Sequence, residues 1–371
     1  MPVANPRNRV IYQSEALYAG PTPVGADHIG ANAPSQLQRV QSANYSFNIE
    51  RQDVNQFGEL ASIDRVILSA PTVALDFSYL VANLYNESAI GFHVLNSSAP
   101  DWVSCISGVL NKESDEKNYF IRTTDEGSDA LGIGKDVADQ RVIGIGNGFV
   151  TSYTTEGSVG NFPTASVNVE ALNMKVDNAI SGKYLPSVNP INGNPDLTYV
   201  YGLNPVVSTT AADATTVLRP GQITLDLKDG GTATDISVLG ADINDAKIQS
   251  YNISFDLGRT PLEKLGSKFA FAREIDFPVT ITMSVEASVG DLVTGNLADI
   301  LGPDSSYDLT VNLKDKDNTV VKAAYHIKEA KLDSQEFSSA VGDNKSVTLN
   351  FSAQVGGPAQ NNIGFFMSGV I

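Results

Sequence analysis

The chain has 371 residues, 42% of them hydrophobic and 18% charged, with a formal net charge of −17. That length favours two or three domains with real cores. The acidity, unrelieved by any Lys/Arg run, argues against binding nucleic acid by phosphate neutralisation. A lone cysteine, Cys105, excludes an intrachain disulfide. No run reaches the ~20 apolar residues of a membrane span, and the N-terminus lacks the apolar stretch of a secretory signal. These features together predict a protein made and folded in the cytosol.

Residues 1–36 are rich in Pro, Gly, Ala and Asn without a sustained period. They predict an extended arm that orders only against a neighbour. From Val40 the pattern changes. In "VQSANYSFNIERQDVNQFG", Ala43, Tyr45, Phe47 and Ile49 alternate with Ser42, Asn44, Ser46, Asn48 and Glu50, which predicts a strand with one buried and one wet face. "TVALDFSY" continues the alternation, with Val73, Leu75 and Phe77 inward. "DWVSCISGVLNK" predicts a short helix capped by Asp101, with Val103, Ile106 and Leu110 on one face and Cys105 an inert buried thiol. "GIGNGF" at 144–149 lacks the third glycine of a dinucleotide loop and precedes strand-like sequence, so it reads as a turn. Residues 181–216, dense in Pro, Asn and Gly, predict a linker or long loop.

After that segment the chain repeats itself. "IQSYNISFDLGRTPLEKLG" matches the opening stretch at a constant shift of 208 positions, Val40 to Ile248, without a gap. Gln41, Ser42, Asn44, Ser46, Phe47, Arg51 and Gly58 return as Gln249, Ser250, Asn252, Ser254, Phe255, Arg259 and Gly266. "TITMSVEA", with Ile281, Met283 and Val285 inward, answers "TVALDFSY". The segments 148–172 and 330–355 resemble each other in the same order, and 290–302 is the second candidate helix. "YDLTVNLKDKDNTVVKAAYHI" predicts a hairpin turning at Asp315 to Asn318. Ordered likeness of this kind points to an internal duplication.

The predicted architecture is mainly β: two tandem, internally duplicated β-sandwich or half-barrel domains, each with one short helix, plus an extended N-terminal arm. Its boundaries are arm 1–36, first copy 37–180, linker 181–216 and second copy 217–371.

Chemistry is hard to find. His28, His93 and His326 share no metal-like spacing, and His326 sits in an alternating strand where a packed or solvated histidine is expected. No nucleophile elbow occurs. The acidic stretches "LKDKDN" and "DLKDGGTATD" do not fit a calcium loop. No enzyme, metal or cofactor is expected, and the work of the chain is read as shape and contact. Two alike copies let n chains imitate a ring of 2n subunits, with sheet edges pairing across subunits.

"NYSFNIERQDVNQFGELASIDRV" and "IGNGFVTSYTTEGSVGNFPTASVNVEALNM" resemble the opening and later strands of tailed-bacteriophage tail tube proteins. "LRPGQITLDL" leading to "IQSYNISFDL" repeats the resemblance in the second half. The likeness implies stacked rings around a lumen through which the genome leaves, in the virion tail assembled in host cytoplasm. Two tube domains in one chain imply a trimeric, pseudo-hexameric ring. It implies as partners other copies of itself and further tail proteins: a sheath if the tail contracts, the baseplate and the terminator. Phage DNA would pass without specific binding, and no membrane is involved. Three chains would bring three times −17, or −51, to each ring. That charge either lines the lumen or simply keeps the surface soluble.

Within this reading the loops 50–62 and 258–270 are the expected ring-to-ring contacts, with Arg51, Gln52, Asn55, Gln56, Glu59, Arg259, Glu263, Lys264 and Lys268 as assembly residues. The alternative for Arg51 and Arg259 is a local turn cap, and Gly58 and Gly266 are expected to supply positive φ. Rival readings are a single-ring tail component (terminator, distal tail or baseplate hub protein) and a carbohydrate-binding surface module. Only Trp102 is available as an indole platform, which disfavours the latter.

Overall fold

The computed structural model describes residues 15–21, 25–67, 70–96, 102–110, 115–124, 130, 140–204, 218, 220–229, 247–288, 306–315, 317, 320–339, 345–357, 359–360 and 363–371. The protein is mainly β. Eight antiparallel strands form a central sheet: β1 (Val40–Asn48), β2 (Thr72–Leu80), β3 (Arg141–Ser158), β4 (Thr164–Ala171), β5 (Lys247–Asp256), β6 (Thr280–Ser288), β7 (Val321–Ser338) and β8 (Ser346–Gln354). Their order across the sheet is β1-β2-β4-β3-β5-β6-β8-β7. The first four strands and the last four therefore follow the same order.

The strands form where the sequence alternates. Along β2 every second residue, Val73 through Tyr79, is buried, and β6 repeats this from Ile281 to Ala287. Registers match as well. Val40 pairs with Tyr79 and Ser42 with Ser78, leaving Gln41 unpaired as a bulge. At a shift of 208, Ile248 pairs with Ala287 and Ser250 with Glu286, leaving Gln249. Each bulge glutamine donates its side-chain N–H to the carbonyl two residues back, Gln41 to Arg39 at 3.1 Å and Gln249 to Lys247 at 2.9 Å. Thr151 bulges out of the β3–β4 ladder and Asp333 out of β7–β8, a shift of 182. There Asn168 Nδ2 donates to Ser152 Oγ at 2.7 Å, and Asn350 Nδ2 to Ser334 Oγ at 2.9 Å.

β3 and β7 are long because each serves two sheets. The first part of β3 pairs with Lys117–Thr123 and Asn173–Asp177, and that of β7 with Tyr307–Lys314 and Gly364–Gly369. These smaller sheets lie over the inner face of the central sheet and enclose one continuous core, containing Phe77, Tyr153, Phe255, Met283, Tyr325 and Phe351. The sheet is mixed, because Gly364–Gly369 also pairs in parallel with Val94–Asn96.

Several expectations are corrected. Tyr85–Ile90 is the α-helix described along its whole length, and Asp115 is a further α-helical residue. The stretch expected to be helical around Cys105 is a 3-10 turn, Cys105–Gly108. Asp101 and the second candidate helix, 290–302, lie outside the described residues. The expected arm supplies a strand, Glu15–Ala19, paired to Lys117–Thr123 just as Ile223–Asp229 pairs to Tyr307–Lys314; Leu17 opposes Ile121 and Leu225 opposes Val311. The expected linker contains a paired hairpin, Ser181–Tyr184 with Val200–Gly202. "GIGNGF" is not a turn but lies inside β3, where Asn147 has φ 56° and the pairing with Lys117–Thr123 shifts register. Its glycines allow close approach: a Cβ on Gly146 would lie 2.3 Å from the Pro186 carbonyl oxygen.

Candidate assembly surfaces

The halves meet where β3 pairs with β5. Seven residue pairs run from Ser158 opposite Ser250 to Ser152 opposite Asp256, and the Leu257 N–H donates to the Thr151 carbonyl at 2.7 Å. Phe255 of β5 sits against Tyr153, Phe92 and Phe365 at ring-centroid distances of 5.6, 5.7 and 5.6 Å. Behind it lies a buried polar cluster. Tyr79 and Tyr153 donate to Glu87 Oε1 at 2.9 and 3.0 Å, and the Tyr153 and Tyr325 hydroxyls meet at 3.2 Å. Burial pushes the Glu87 carboxyl up to about 7, against the pull of the two tyrosine hydrogen bonds and the Arg39 charge.

Beyond β5 the chain forms a hairpin, Arg259–Leu262 with Ala272–Ile275. It rests on the first half. Arg259 grips Asp115 with both terminal nitrogens, at 2.5 and 2.7 Å. Its Nε donates to the Val150 carbonyl at 3.0 Å, and its guanidinium lies 5.2 Å from the centre of the Phe149 ring. The ion pair is buried, with side chains 3% and 9% exposed. Arg273 pairs with Glu170, and the N–H groups of Lys268 and Phe269 donate to Ile191 and Pro190 at 3.1 and 3.0 Å. Arg259 is thus no local cap. Its partner lies 144 positions away in sequence, and no local signal reveals it. Asp115, Phe149 and Glu170 are the contact residues that sequence reasoning missed.

The matching hairpin, Arg51–Val54 with Asp64–Ile67, has the same register at a shift of 208, Arg51 opposite Ile67 as Arg259 is opposite Ile275. Every residue of its two strands is exposed. Gly58 and Gly266 turn the hairpins at φ 92° and 86°, a conformation glycine adopts without strain. The expected contact loops are these hairpins, and their tips are less polar than expected: Phe57, Leu60 and Leu265 are fully exposed, at 107%, 111% and 104%. Arg51, Gln52, Asn55, Gln56, Glu59, Glu263, Lys264 and Lys268 are exposed. Gln56 donates to Glu59 at 2.7 Å, and the Lys264 ammonium lies 5.8 Å from the Phe271 ring centre. Of the nine expected assembly residues, only Arg259 is drawn inward.

The sheet has two outer edges. Among the described residues no strand pairs with β1 on the side away from β2, nor with 331–338 of β7 on the side away from β8, although Lys331 and Gln335 there have interactions of their own. The consequence shows at matched positions. Phe255 is 3% exposed, whereas Phe47 on edge strand β1 is 59% exposed. The buried face expected for Ala43, Tyr45 and Phe47 is therefore only half covered.

The face of the central sheet away from the core is polar except at Ala74 and Leu80. Its even-numbered positions within 42–48, 72–80, 152–158, 164–170, 250–256, 280–288, 334–338 and 346–354 include Asp76, Glu156, Glu170, Asp256, Glu286 and Glu336 and no Lys or Arg. Cross-strand bonds tie it together, such as Asn44 to Asp76 at 2.7 Å and Ser250 to Glu286 at 3.3 Å.

Elsewhere, His326 is partly buried in β7, Nδ1 against Thr310 Oγ1 at 3.1 Å and Nε2 against Ser368 Oγ at 2.9 Å. Burial, with the nearby Lys328 charge, lowers its pKa to about 4. Cys105 is buried and its thiol is pushed up by desolvation. No group of three or more potential metal ligands occurs among the described residues.

No family model matches the chain, and no curated protein does. Among solved structures, a chain of the anti-feeding prophage baseplate, from six-fold symmetrised cryo-EM, is similar at 13% identity. That alignment covers 47% of this chain and 98% of that one, with a TM-score of 0.30. A chain from the virion of a native gene transfer agent particle is similar at 14% identity, covering 35% of this chain and 92% of that one, with a TM-score of 0.23. At those scores neither alignment decides the function.

Proposed function

We propose that this chain is a structural tail protein of a tailed bacteriophage, an internally duplicated subunit whose rings stack into the tail tube around a DNA-conducting lumen. The observation that carries the reading is the β3–β5 joint. Two halves with the same strand order and registers are joined edge to edge, and among the described residues the outer edges β1 and β7 are the matched strands with no such paired strand beside them. A head-to-tail contact between two different edges closes into a ring when the rotation allows. Six such halves, from three chains, make the pseudo-hexameric ring implied by the sequence resemblance.

In this ring the polar face of the central sheet lines the lumen. Apart from Glu170, which pairs with Arg273, the carboxylates of this face, with no Lys or Arg among them, repel a passing polyanion, and screening confines the effect to about 8–10 Å from the wall at physiological salt. Ser, Thr and Asn hydroxyls and amides, already bonded across strands, offer phosphate little reason to stick. The apolar hairpin tips at Phe57, Leu60 and Leu265 favour stacking over a single-ring component, because a ring that ended there would leave them in water. Other tail proteins, the baseplate and terminator and a sheath if the tail contracts, are the partners at its surfaces.

Electron microscopy of the purified chain, dilute and concentrated, tests the proposal. Hollow tubes with a three-fold repeat and pseudo-six-fold symmetry are expected. Single closed rings would overturn the tube in favour of a terminator or hub, and monomers at every concentration would overturn ring building altogether.

A further inference from the structure

We infer that residues 334–338 of β7 in one chain pair with β1 of a second copy of this chain in the register that joins β3 to β5 inside each chain. The inference rests on the ring-building reading and deepens it to named residue pairs. β1 corresponds to β5 at a shift of 208, and β3 to β7 at a shift of 182, each with its one-residue bulge at the matched place. Carrying the internal pairs across, Ile253 opposite Thr155 becomes Tyr45 opposite Phe337, and Ser254 opposite Thr154 becomes Ser46 opposite Glu336.

The side chains at these edges suit one another. Ile253 and Thr155 are fully buried at the internal joint, while Phe337 at 40% and Phe47 at 59% stand exposed at the outer edges. Pairing brings Phe337 against Tyr45 and places Phe47 opposite Gln335, the position matched to Tyr153 opposite Phe255. On the polar face Glu336 gains a hydroxyl partner in Ser46, and no pair in this register sets like charges opposite each other. The hairpin following β1 then reaches past the joint as its counterpart does. Arg51 comes to the Leu332 carbonyl, the matched equivalent of the Val150 carbonyl that Arg259 holds. The occupant is a second copy because this chain itself carries the complementary register and the two edges are not alike, so each supplies what the other lacks.

Cysteine cross-linking in the full chain tests the register. Opposed residues of antiparallel strands have Cβ atoms about 4.5–5.5 Å apart, within reach of a disulfide after small adjustment. Tyr45→Cys with Phe337→Cys is expected to give intermolecular disulfides on mild oxidation of assembled protein. Tyr45→Cys with Lys331→Cys, whose partners lie six residues or ~20 Å apart in this register, is expected to give at least tenfold less. The buried Cys105 stays in place. Rings or tubes by microscopy with the preference reversed would overturn the register and leave ring building intact. Failure of the unmodified chain to assemble at all would overturn the ring reading and this inference with it. As a check independent of the cysteines, Phe47→Asp is expected to raise the concentration needed for assembly at least tenfold while leaving the unfolding midpoint of the dissociated chain unchanged. Assembly at the unmodified concentration would overturn the pairing.

Discussion

Two groups, the buried Glu87 and the partly buried His326, impose opposite pH dependences on this fold, and separating them tests the description of its interior. Glu87 is buried between the halves with its carboxyl raised from 4.5 to about 7. Between those values the folded chain holds a proton that the unfolded chain has released, so stability falls as pH rises from 4.5 to 7. The slope is about 1.4 kcal/mol per pH unit and the total about 3 kcal/mol. His326 is lowered from 6.5 to about 4. Between those values the unfolded chain holds the extra proton, so stability falls as pH drops from 6.5 to 4, again by about 3 kcal/mol. From pH 4.5 to 6.5 the two slopes cancel in the wild-type chain. Glu87→Gln, which keeps an acceptor for the Tyr79 and Tyr153 hydroxyls, removes the first slope. His326→Gln removes the second. Urea unfolding of the dissociated chain at half-unit pH steps reads both. The difference curve Glu87→Gln minus wild type should climb by about 3 kcal/mol from pH 4.5 to 7. That for His326→Gln should descend by a similar amount from pH 4 to 6.5. A Glu87→Gln difference flat to within about 0.5 kcal/mol would mean that the carboxyl ionises inside the fold at little cost, and the burial argument would fail.

Arg259→Ala strands Asp115 and the Val150 carbonyl in a buried site and should cost about 3–5 kcal/mol in chemical unfolding. Arg51→Ala, at the matched exposed position, should change the dissociated chain by less than about 0.5 kcal/mol. Phe255→Ala should cost about 3–5 kcal/mol, whereas Phe47→Ala should leave the dissociated chain nearly unaffected and weaken assembly, read by sedimentation. Glu156→Lys with Glu286→Lys places cations on the polar sheet face, and the resulting assemblies should retain duplex DNA that wild-type assemblies release, with retention falling steeply as salt is raised.

Alternation made the central strands legible. Val73, Leu75, Phe77, Ile281, Met283 and Val285 all point into the core as their spacing requires. The glycines at 58 and 266 were legible too, since a tight turn that needs φ near 90° has few other residues to use. What stayed hidden depends on distance along the chain. Nothing near Arg259 announces Asp115, and nothing in Phe47 or Phe255 tells which is covered, because their neighbours, and not their identities, differ. The expected helix gives way to a 3-10 turn at Cys105–Gly108 for a local reason: Ser104, Ser107 and Gly108 weaken any helix there, and Gly108 packs its backbone against Gly91 and His93. The expected arm and linker misled because irregular composition hides short strands such as Glu15–Ala19, whose order comes from pairing with Lys117–Thr123.

The two repeated sentences also explain why the bulges recur. A single inserted residue bends its strand and increases the local twist, so bulges at matched positions give both halves the same curvature. Gln41 and Gln249 are such insertions, each held by its own side chain to the carbonyl two residues before it. Thr151 and Asp333 are the other pair. A ring of three chains closes when its internal joint and its joint between chains together turn through a third of a circle, and it is pseudo-six-fold only when the two joints turn alike. In the proposed ring the internal joint lies between the Thr151 and Gln249 bulges, and the joint between chains lies between Asp333 and Gln41. Having a glutamine at both places, and an extra residue at both of the others, makes the two kinds of joint alike even though most neighbouring side chains differ. Pseudo-six-fold regularity, which needs the two joints to turn alike, is a physical reason for one chain to write nearly the same strand twice.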